Sequence, residues 1–258
     1  MTDSAHVLGC RIDRLDLPGT VAHVEELIEA GSYTQHMAIN AAKLVYMRDD
    51  PALQDVIAGC GLVNADGQGV VWASRLLGDP LPERVAGIDL MHELIALAER
   101  RGWPVYFLGA RPEVLERAIE RIREQHPALA IAGARDGYFD DAEAARVAAE
   151  IREAGPQIVF VAMSSPRKEL FLGEHGPGLG APFVMGVGGA IDVVAGVTKR
   201  APRAWQRLGL EWLYRLLQEP RRMFRRYAVT NARLAWLVTR ELLSEGPGRD
   251  RPVGHKLS

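Results

Sequence analysis

The 258-residue chain is poor in cysteine: Cys10 and Cys60 lie far apart and form no metal-type spacing. Both sit among apolar neighbours, as packed thiols do, so no disulfide framework builds the fold and a reducing cytoplasm suits the chain. No run approaches the roughly 18–20 apolar residues of a membrane span. Met1 to Cys10 has no basic stretch followed by an apolar core, the mark of a secretory signal. The seven histidines are scattered, and no Asp-x-Asp stands where a metal clamp would, so no metal site is expected. Gly-x-Gly-x-x-Gly is missing after the first strand-like run, which reads Leu8-Gly9-Cys10-Arg11. There is no Walker loop either, which counts against a dinucleotide enzyme or a P-loop ATPase.

What is present is an ordinary globular mixture, nearly half apolar and a quarter charged, long enough to bury one sizeable core with room for an appendage. Short apolar runs at 7–12, 37–39, 62–64, 105–108, 129–132, 158–163 and 183–187 predict strands covered on both faces. Between them, helical patterns fall near 20–30, 41–47, 51–58, 70–77, 90–101, 113–126, 141–154 and 167–174, with Asp141 at an N-cap position. The alternation predicts an α/β protein with a parallel or mixed sheet flanked by helices. After Thr198 the strand signals stop. Two helices are predicted at 203–218 and 221–243, separated by Pro220, and then a Gly- and Pro-rich tail from 245 to 258 that reads as disordered.

Charge is distributed unevenly. The chain as a whole is −2, yet from Arg203 to Arg240 nine arginines face only Glu211 and Glu219, a balance of about +7. Trp205, Trp212 and Trp236 fall in the same stretch. Arginine interleaved with Trp, Leu and Tyr suits an anionic membrane surface or a phosphate ligand better than a nucleic acid, although a solvated helical face has the same composition.

Five predicted strand ends carry Gly, Asp, Asn or small polar residues. Asn64-Ala65-Asp66-Gly67-Gln68-Gly69 opens a helix; Asp66 there suits a general base or a sugar ligand, or else an N-cap. Leu108-Gly109-Ala110-Arg111-Pro112 repeats the strand–Gly–helix arrangement. In Gly137-Tyr138-Phe139 an aromatic ring suits a nucleobase or the core. Ser164-Ser165-Pro166-Arg167-Lys168-Glu169 combines a helix start with two cations; Ser164 or Ser165 as a plain N-cap is the default, and an anion site is the alternative. Gly186-Val187-Gly188-Gly189 precedes Asp192, a candidate ribose or base ligand. Together these ends point to a nucleotide-type ligand on one edge of the sheet.

From about Val7 to Tyr227 the chain resembles the WecG/TagA/CpsF glycosyltransferases (glycosyltransferase family 26). The carriers are Ile39-Asn40-Ala41, Asp66-Gly67-Gln68-Gly69, Gly87-Ile88-Asp89, Leu108-Gly109, Gly137-Tyr138-Phe139, and Pro166 with Glu169. Gly186-Val187-Gly188-Gly189 with Asp192 and Gly196, Arg200-Ala201-Pro202, and the block from Glu211 to Tyr227 complete the set. The resemblance implies a Rossmann-like catalytic domain over 1–198 and a basic, membrane-binding helical arm over 199–244. It implies a UDP-sugar donor, a polyprenyl-diphosphate-linked glycan acceptor, and a peripheral place on the inner face of the cell membrane. It also implies metal-independent, inverting transfer without a cofactor, and a capacity to self-associate.

By the same resemblance, Asp66 is the base and Asn40 positions substrate. Gly67, Gly109, Tyr138, Pro166, Glu169, Gly188, Gly189 and Asp192 bind substrate, and Arg215, Arg222, Arg225 and Arg226 face the diphosphate. Two departures bear on sugar specificity. Ala38 stands where the family has Thr, and Lys168 where it has Gln. An N-acetylmannosamine-type donor is expected. A glucosyl-type exopolysaccharide transferase, a soluble nucleotide-sugar-modifying enzyme and a non-catalytic nucleotide-binding relative stay open as alternatives.

Overall fold

Apolar runs too short to make helices become the strands of one parallel sheet. The computed structural model describes residues 2–165, 167–207, 209–218 and 220–244; of Arg207, Arg215, Arg221, Arg222, Met223, Arg225 and Arg226 it describes the backbone alone. The chain opens with β1 (Ser4–Val7), β2 (Cys10–Asp13) and α1 (Leu17–Glu29), followed by β3 (Thr34–Ile39), α2 (Ala41–Tyr46), α3 (Pro51–Ala58) and β4 (Leu62–Ala65). Next come α4 (Gln68–Leu76), α5 (Gly87–Arg101), β5 (Val105–Gly109), α6 (Pro112–Gln125), β6 (Ile131–Arg135) and α7 (Asp141–Ala154). β7 (Ile158–Ala162), α8 (Arg167–His175), β8 (Phe183–Gly186) and α9 (Ala190–Val194) complete the sheet domain. The arm holds α10 (Arg203–Arg207), α11 (Glu211–Gln218) and α12 (Pro220–Ser244).

Six strands pair in the order β4-β3-β8-β7-β5-β6, every pair parallel, in a Rossmann-like arrangement with helices on both faces. Alternate residues feed opposite faces. Val105 and Phe107 of β5 and Ile158 and Phe160 of β7 join a core shared with α1, α5 and α6. Tyr106, Leu108, Val159 and Val161 face α7 and α8. Phe107 and Phe160 stack at 5.3 Å between ring centres.

Several boundaries differ from the sequence expectation, and β6 begins two residues later than expected while α9 was not expected at all. The predicted strand at 7–12 is a hairpin: β1 and β2 pair antiparallel around Leu8 (φ 51°) and Gly9 (φ 82°). Both turn residues are left-handed, as a two-residue hairpin turn requires, and no Asn-Gly or Asp-Gly announced it. The hairpin covers the sheet edge, where buried Asp13 Oδ2 accepts the β4 amide of Val63 at 2.8 Å. The N-cap of α7 is Asp140 rather than Asp141, its side chain accepting from the Glu143 amide. The helix expected at 203–218 breaks into α10 and α11 around Gly209, φ 71°.

The arm returns to the sheet domain. Leu234, Leu237 and Val238 of α12, spaced three and four apart on one face, enter the same core as Met37, Ile39, Val63, Val70 and Val71. No described helix is long and apolar enough to cross a membrane.

Candidate active site

β4 ends at Ala65, and the Asp66 amide donates to Ile39 O of β3 at 2.7 Å, which pins Asp66 to the carboxyl edge of the sheet. Its carboxylate does not cap α4. Gly67 holds the N-cap position, with no side-chain cap. Instead Oδ1 accepts the Gly87 amide at 3.4 Å, from the first turn of α5. Burial pushes the Asp66 carboxyl up to about 6, against the pull of Arg84, the Gly87 amide and Lys43 and with a push from Glu211. A carboxyl poised there is mostly ionised at neutral pH and still basic enough to take a proton.

Asn40 caps α2, its Oδ1 accepting the Lys43 amide at 3.1 Å. A Cβ placed on Gly67 would lie 3.6 Å from Asn40 Cβ, so the two strand ends meet. The cap leaves the Asn40 amide N–H groups for a substrate. Lys43 reaches back to donate to Ala38 O at 3.0 Å and lies 3.9 Å from Glu169 Oε1. Burial, with Lys168 adding repulsion, draws its ammonium down to about 8.

A second strand-end region lies where β5 and β7 pair side by side. The chain leaves β5 toward β6 and leaves β7 toward β8, in opposite directions, so the crevice between their carboxyl ends is the switch point where parallel sheets hold ligands. Gly109 and Ala110 turn there with φ 117° and 63°. Tyr138 stands over the neighbouring loop, 70% exposed, whereas Phe139 is buried against Phe171. Arg167 fixes that loop: its guanidinium donates to Gly137 O at 2.5 Å and to Phe139 O, and lies over the Phe139 ring.

The arm closes the third side. A Cβ on Gly209 would come within 2.6 Å of Gln68 Cγ, and one on Gly69 within 3.6 Å of Leu234. Thus two residues of the Asp66-Gly67-Gln68-Gly69 motif face the arm rather than an open pocket. Glu211 at the start of α11 ion-pairs with Arg84, and Arg200 reaches Asp89 of α5 at 2.6 Å and Glu211 at 3.5 Å.

A family model described as "Glycosyl transferase WecG/TagA/CpsF family" matches residues 5–247, nearly the whole chain. The chain belongs to that family. Membership implies glycosyltransferase activity in cell-surface polysaccharide biosynthesis, with a nucleotide-sugar donor and a glycan acceptor.

In this glycosyltransferase the expected site residues separate into groups. Asp66, Gly67 and Asn40 come together. Gly109 ends β5, and the loop that carries Tyr138 is tied to it where the Gly137 amide donates to Ala110 O at 3.0 Å. Gly188 (φ 49°) has open space around it, and Gly189 is the N-cap of α9, the helix that carries Asp192. Glu169 is buried, 3.3 Å from Lys168 Nζ, and serves as counter-ion to two lysines. Burial alone would raise its carboxyl; Lys168 and Lys43 hold it below the usual range. The side chains of Arg167 and Lys168, the two cations of the alternative anion site, are both engaged within the protein. Arg167 is spent on the Tyr138 loop, and Lys168 turns inward, packed where a Cβ on Gly186 would meet its stem at 2.8 Å. Pro166, the side chains of Arg215, Arg222, Arg225 and Arg226, and the expected tail at 245–258 lie outside the described residues.

Sequence reasoning missed Arg84, Lys43 and the role of Glu211. Glu211 carried a signal, being one of two acids in a run of arginines. Arg84 carried a weaker one, three residues before Gly87-Ile88-Asp89. Among the described residues, no three His, Cys, Asp or Glu side chains gather as metal ligands do.

Proposed function

We propose that this glycosyltransferase moves a hexosyl group, of the N-acetylmannosamine type, from a UDP-sugar to a hydroxyl of a polyprenyl-diphosphate-linked glycan. The observation that carries the reading is Asp66, a basic, half-buried carboxylate at a strand end, freed from helix capping and beside Asn40. Asp66 takes the proton of the acceptor hydroxyl as that oxygen attacks the anomeric carbon. The bond from that carbon to the diphosphate oxygen breaks, and the electron pair leaves with UDP, inverting the centre. Asn40 orients the sugar through its amide. Tyr138 stacks on the uracil, with Gly109, Gly188, Gly189 and Asp192 around the nucleotide. Arg215 and Arg222, with Arg225 and Arg226, neutralise the departing diphosphate, and the two-pronged guanidinium suits adjacent phosphate oxygens better than an ammonium.

The test is incubation of the full chain with a panel of UDP-sugars and a short-chain polyprenyl-diphosphate-linked acceptor, reading both UDP release and glycosylated lipid. Transfer from one donor supports the reading. Nucleotide-sugar turnover without acceptor, or UDP binding without transfer from any donor, replaces it with the soluble or the non-catalytic alternative.

The acceptor's lipid requires the 199–244 arm to meet a membrane from the cytoplasmic side. Leu217 and Phe224 are each 65% exposed, and Trp236 is exposed further along α12. Arg221 with Arg225, and Arg222 with Arg226, repeat at four-residue spacing along the same helix. Each arginine near an anionic surface is worth about 1 kcal/mol. Changing all four to Gln should weaken flotation with anionic vesicles by roughly 100- to 1,000-fold and leave binding to neutral vesicles unchanged. Truncation at Thr198 is the wrong control, because it strips Leu234, Leu237 and Val238 from the core.

A further inference from the structure

Glu211 is the one acid at the head of α11, and it lies where three pieces of the molecule converge. Its carboxylate pairs with Arg84, from the loop before α5, and with Arg200, at the root of the arm. Arg200 in turn holds Asp89 in the first turn of α5, and the Gly87 amide of that same turn donates to Asp66. The connections form a ring: Asp66, the α5 start, Asp89, Arg200, Glu211, Arg84, and back to Asp66 through the field of Arg84. The four side chains that ion-pair in the ring, Arg84, Asp89, Arg200 and Glu211, are at least two-thirds buried, so salt and water screen them only in part. Gly209, two residues before Glu211, is seated on Gln68, two residues after Asp66.

We propose that Glu211 is a positioning residue for the transfer reaction: it locks α11 to the rim of the Asp66 pocket through Arg84 and Arg200 and, by neutralising Arg84, keeps Asp66 a competent base. Without the Glu211 carboxylate, the Arg84 charge is left unopposed beside Asp66. An unopposed guanidinium stabilises the carboxylate anion and weakens it as a proton acceptor. The base is therefore at full strength while α11 is seated on the rim of the pocket. Among the described residues, the charged groups acting on Asp66 are Arg84, Lys43 of α2 and Glu211 of α11. Glu169 and Lys168 of α8 act on Lys43.

This inference takes the identity of the base from the proposed transferase, but its decisive measurement needs no substrate. Carboxylate carbon NMR of the full chain, with the Asp66 signal assigned by its loss in Asp66→Asn, gives the titration midpoint of Asp66 directly. Glu211→Gln should move that midpoint to lower pH and Arg84→Met should move it to higher pH. Glu211→Asp, which keeps the charge but shortens the reach, should move it less than Glu211→Gln and in the same direction. Thermal melting establishes that each variant is folded; should Glu211→Gln fail to fold, the opposed movements in Glu211→Asp and Arg84→Met carry the test. In the transfer assay, Glu211→Gln should lower kcat by roughly three- to ten-fold, with the acid limb of its pH profile displaced to lower pH, as a weaker base demands. A midpoint that stays in place or rises in a folded Glu211 variant overturns the proposal, whatever the activity. A midpoint that falls as expected in a chain without transferase activity upholds the ring and removes only the functional reading.

Discussion

Asp66→Asn should lose transfer by about 10²- to 10⁴-fold, the usual worth of a positioned general base, and yet melt at a higher temperature than the parent at pH 7.5. The two effects share one cause. Burial lifts the Asp66 carboxyl from its ordinary 3.8 to about 6, so the folded protein holds that proton more tightly than the unfolded chain does. Stability from this group is therefore greatest below the unfolded value and falls as pH rises through about 6, where the buried carboxylate ionises. At pH 7.5 the ionised group is a standing cost. At about 1.4 kcal/mol per pH unit, reduced because Asp66 keeps some contact with solvent, the cost is about 1–2 kcal/mol. Asn is nearly isosteric, carries no charge and still accepts the Gly87 amide, so it removes the cost and keeps the contact. Parallel kcat profiles and melting curves from pH 5 to 8 check the claim. Wild-type kcat should rise through about pH 6, the Asn variant should show no such limb, and its stability advantage should shrink toward pH 5. Activity within ten-fold of wild type would remove Asp66 from the chemistry. This is the expected pattern for a site that gives up stability to hold a reactive group.

The strand-end position of Asp66 was legible because an apolar run, an acid and two glycines stand close together there. What excludes its use as a helix cap is not local. The carboxylate turns toward Gly87, 21 residues on, and that contact is set by packing of α5 on the sheet. Strands β5 and β7 were legible as continuous apolar runs. The β1–β2 hairpin was not, because Val7-Leu8-Gly9-Cys10 is itself an apolar run and hides its turn in two left-handed residues. The return of α12 was hidden by its own first turns, whose arginines drew attention from Leu234, Leu237 and Val238 further along. The Arg84–Glu211 and Asp89–Arg200 pairs join residues more than 100 positions apart, and no periodicity or spacing rule reaches that far. Lys168 shows how a long side chain escapes local reading. Its place near a helix start suggested an anion site, but its four-carbon stem lets it fold inward to a buried carboxylate.

Gly109→Ala should destabilise the protein by about 3 kcal/mol or more, one of the largest effects a single methyl can have here. A glycine at a strand end in an α/β protein invites the reading that a ligand's phosphate passes close by. The nearer neighbour is the protein itself: a Cβ on Gly109 would stand 2.5 Å from the Ala162 carbonyl carbon and 2.6 Å from its oxygen, both backbone atoms of β7. Backbone of a central strand cannot step aside as the tip of a side chain can. The conformation adds to the clash, since φ 117° is ground that L-residues rarely occupy. The next residue supplies the opposite control. Ala110 already bears a side chain at φ 63°, while its amide donates to Ala162 O and its carbonyl accepts the Gly137 amide. Ala110→Gly relieves that strain and should be neutral to stabilising by up to about 1 kcal/mol, after the added freedom of the unfolded chain is subtracted. Denaturant unfolding should therefore show a large loss of stability in Gly109→Ala and no loss in Ala110→Gly. If Gly109→Ala unfolds like wild type but loses UDP binding, the crevice is shaped by the ligand and not by β7. A large loss of stability instead shows that the turn is held by the sheet, which keeps Tyr138 and the end of β7 in fixed relation before any nucleotide arrives.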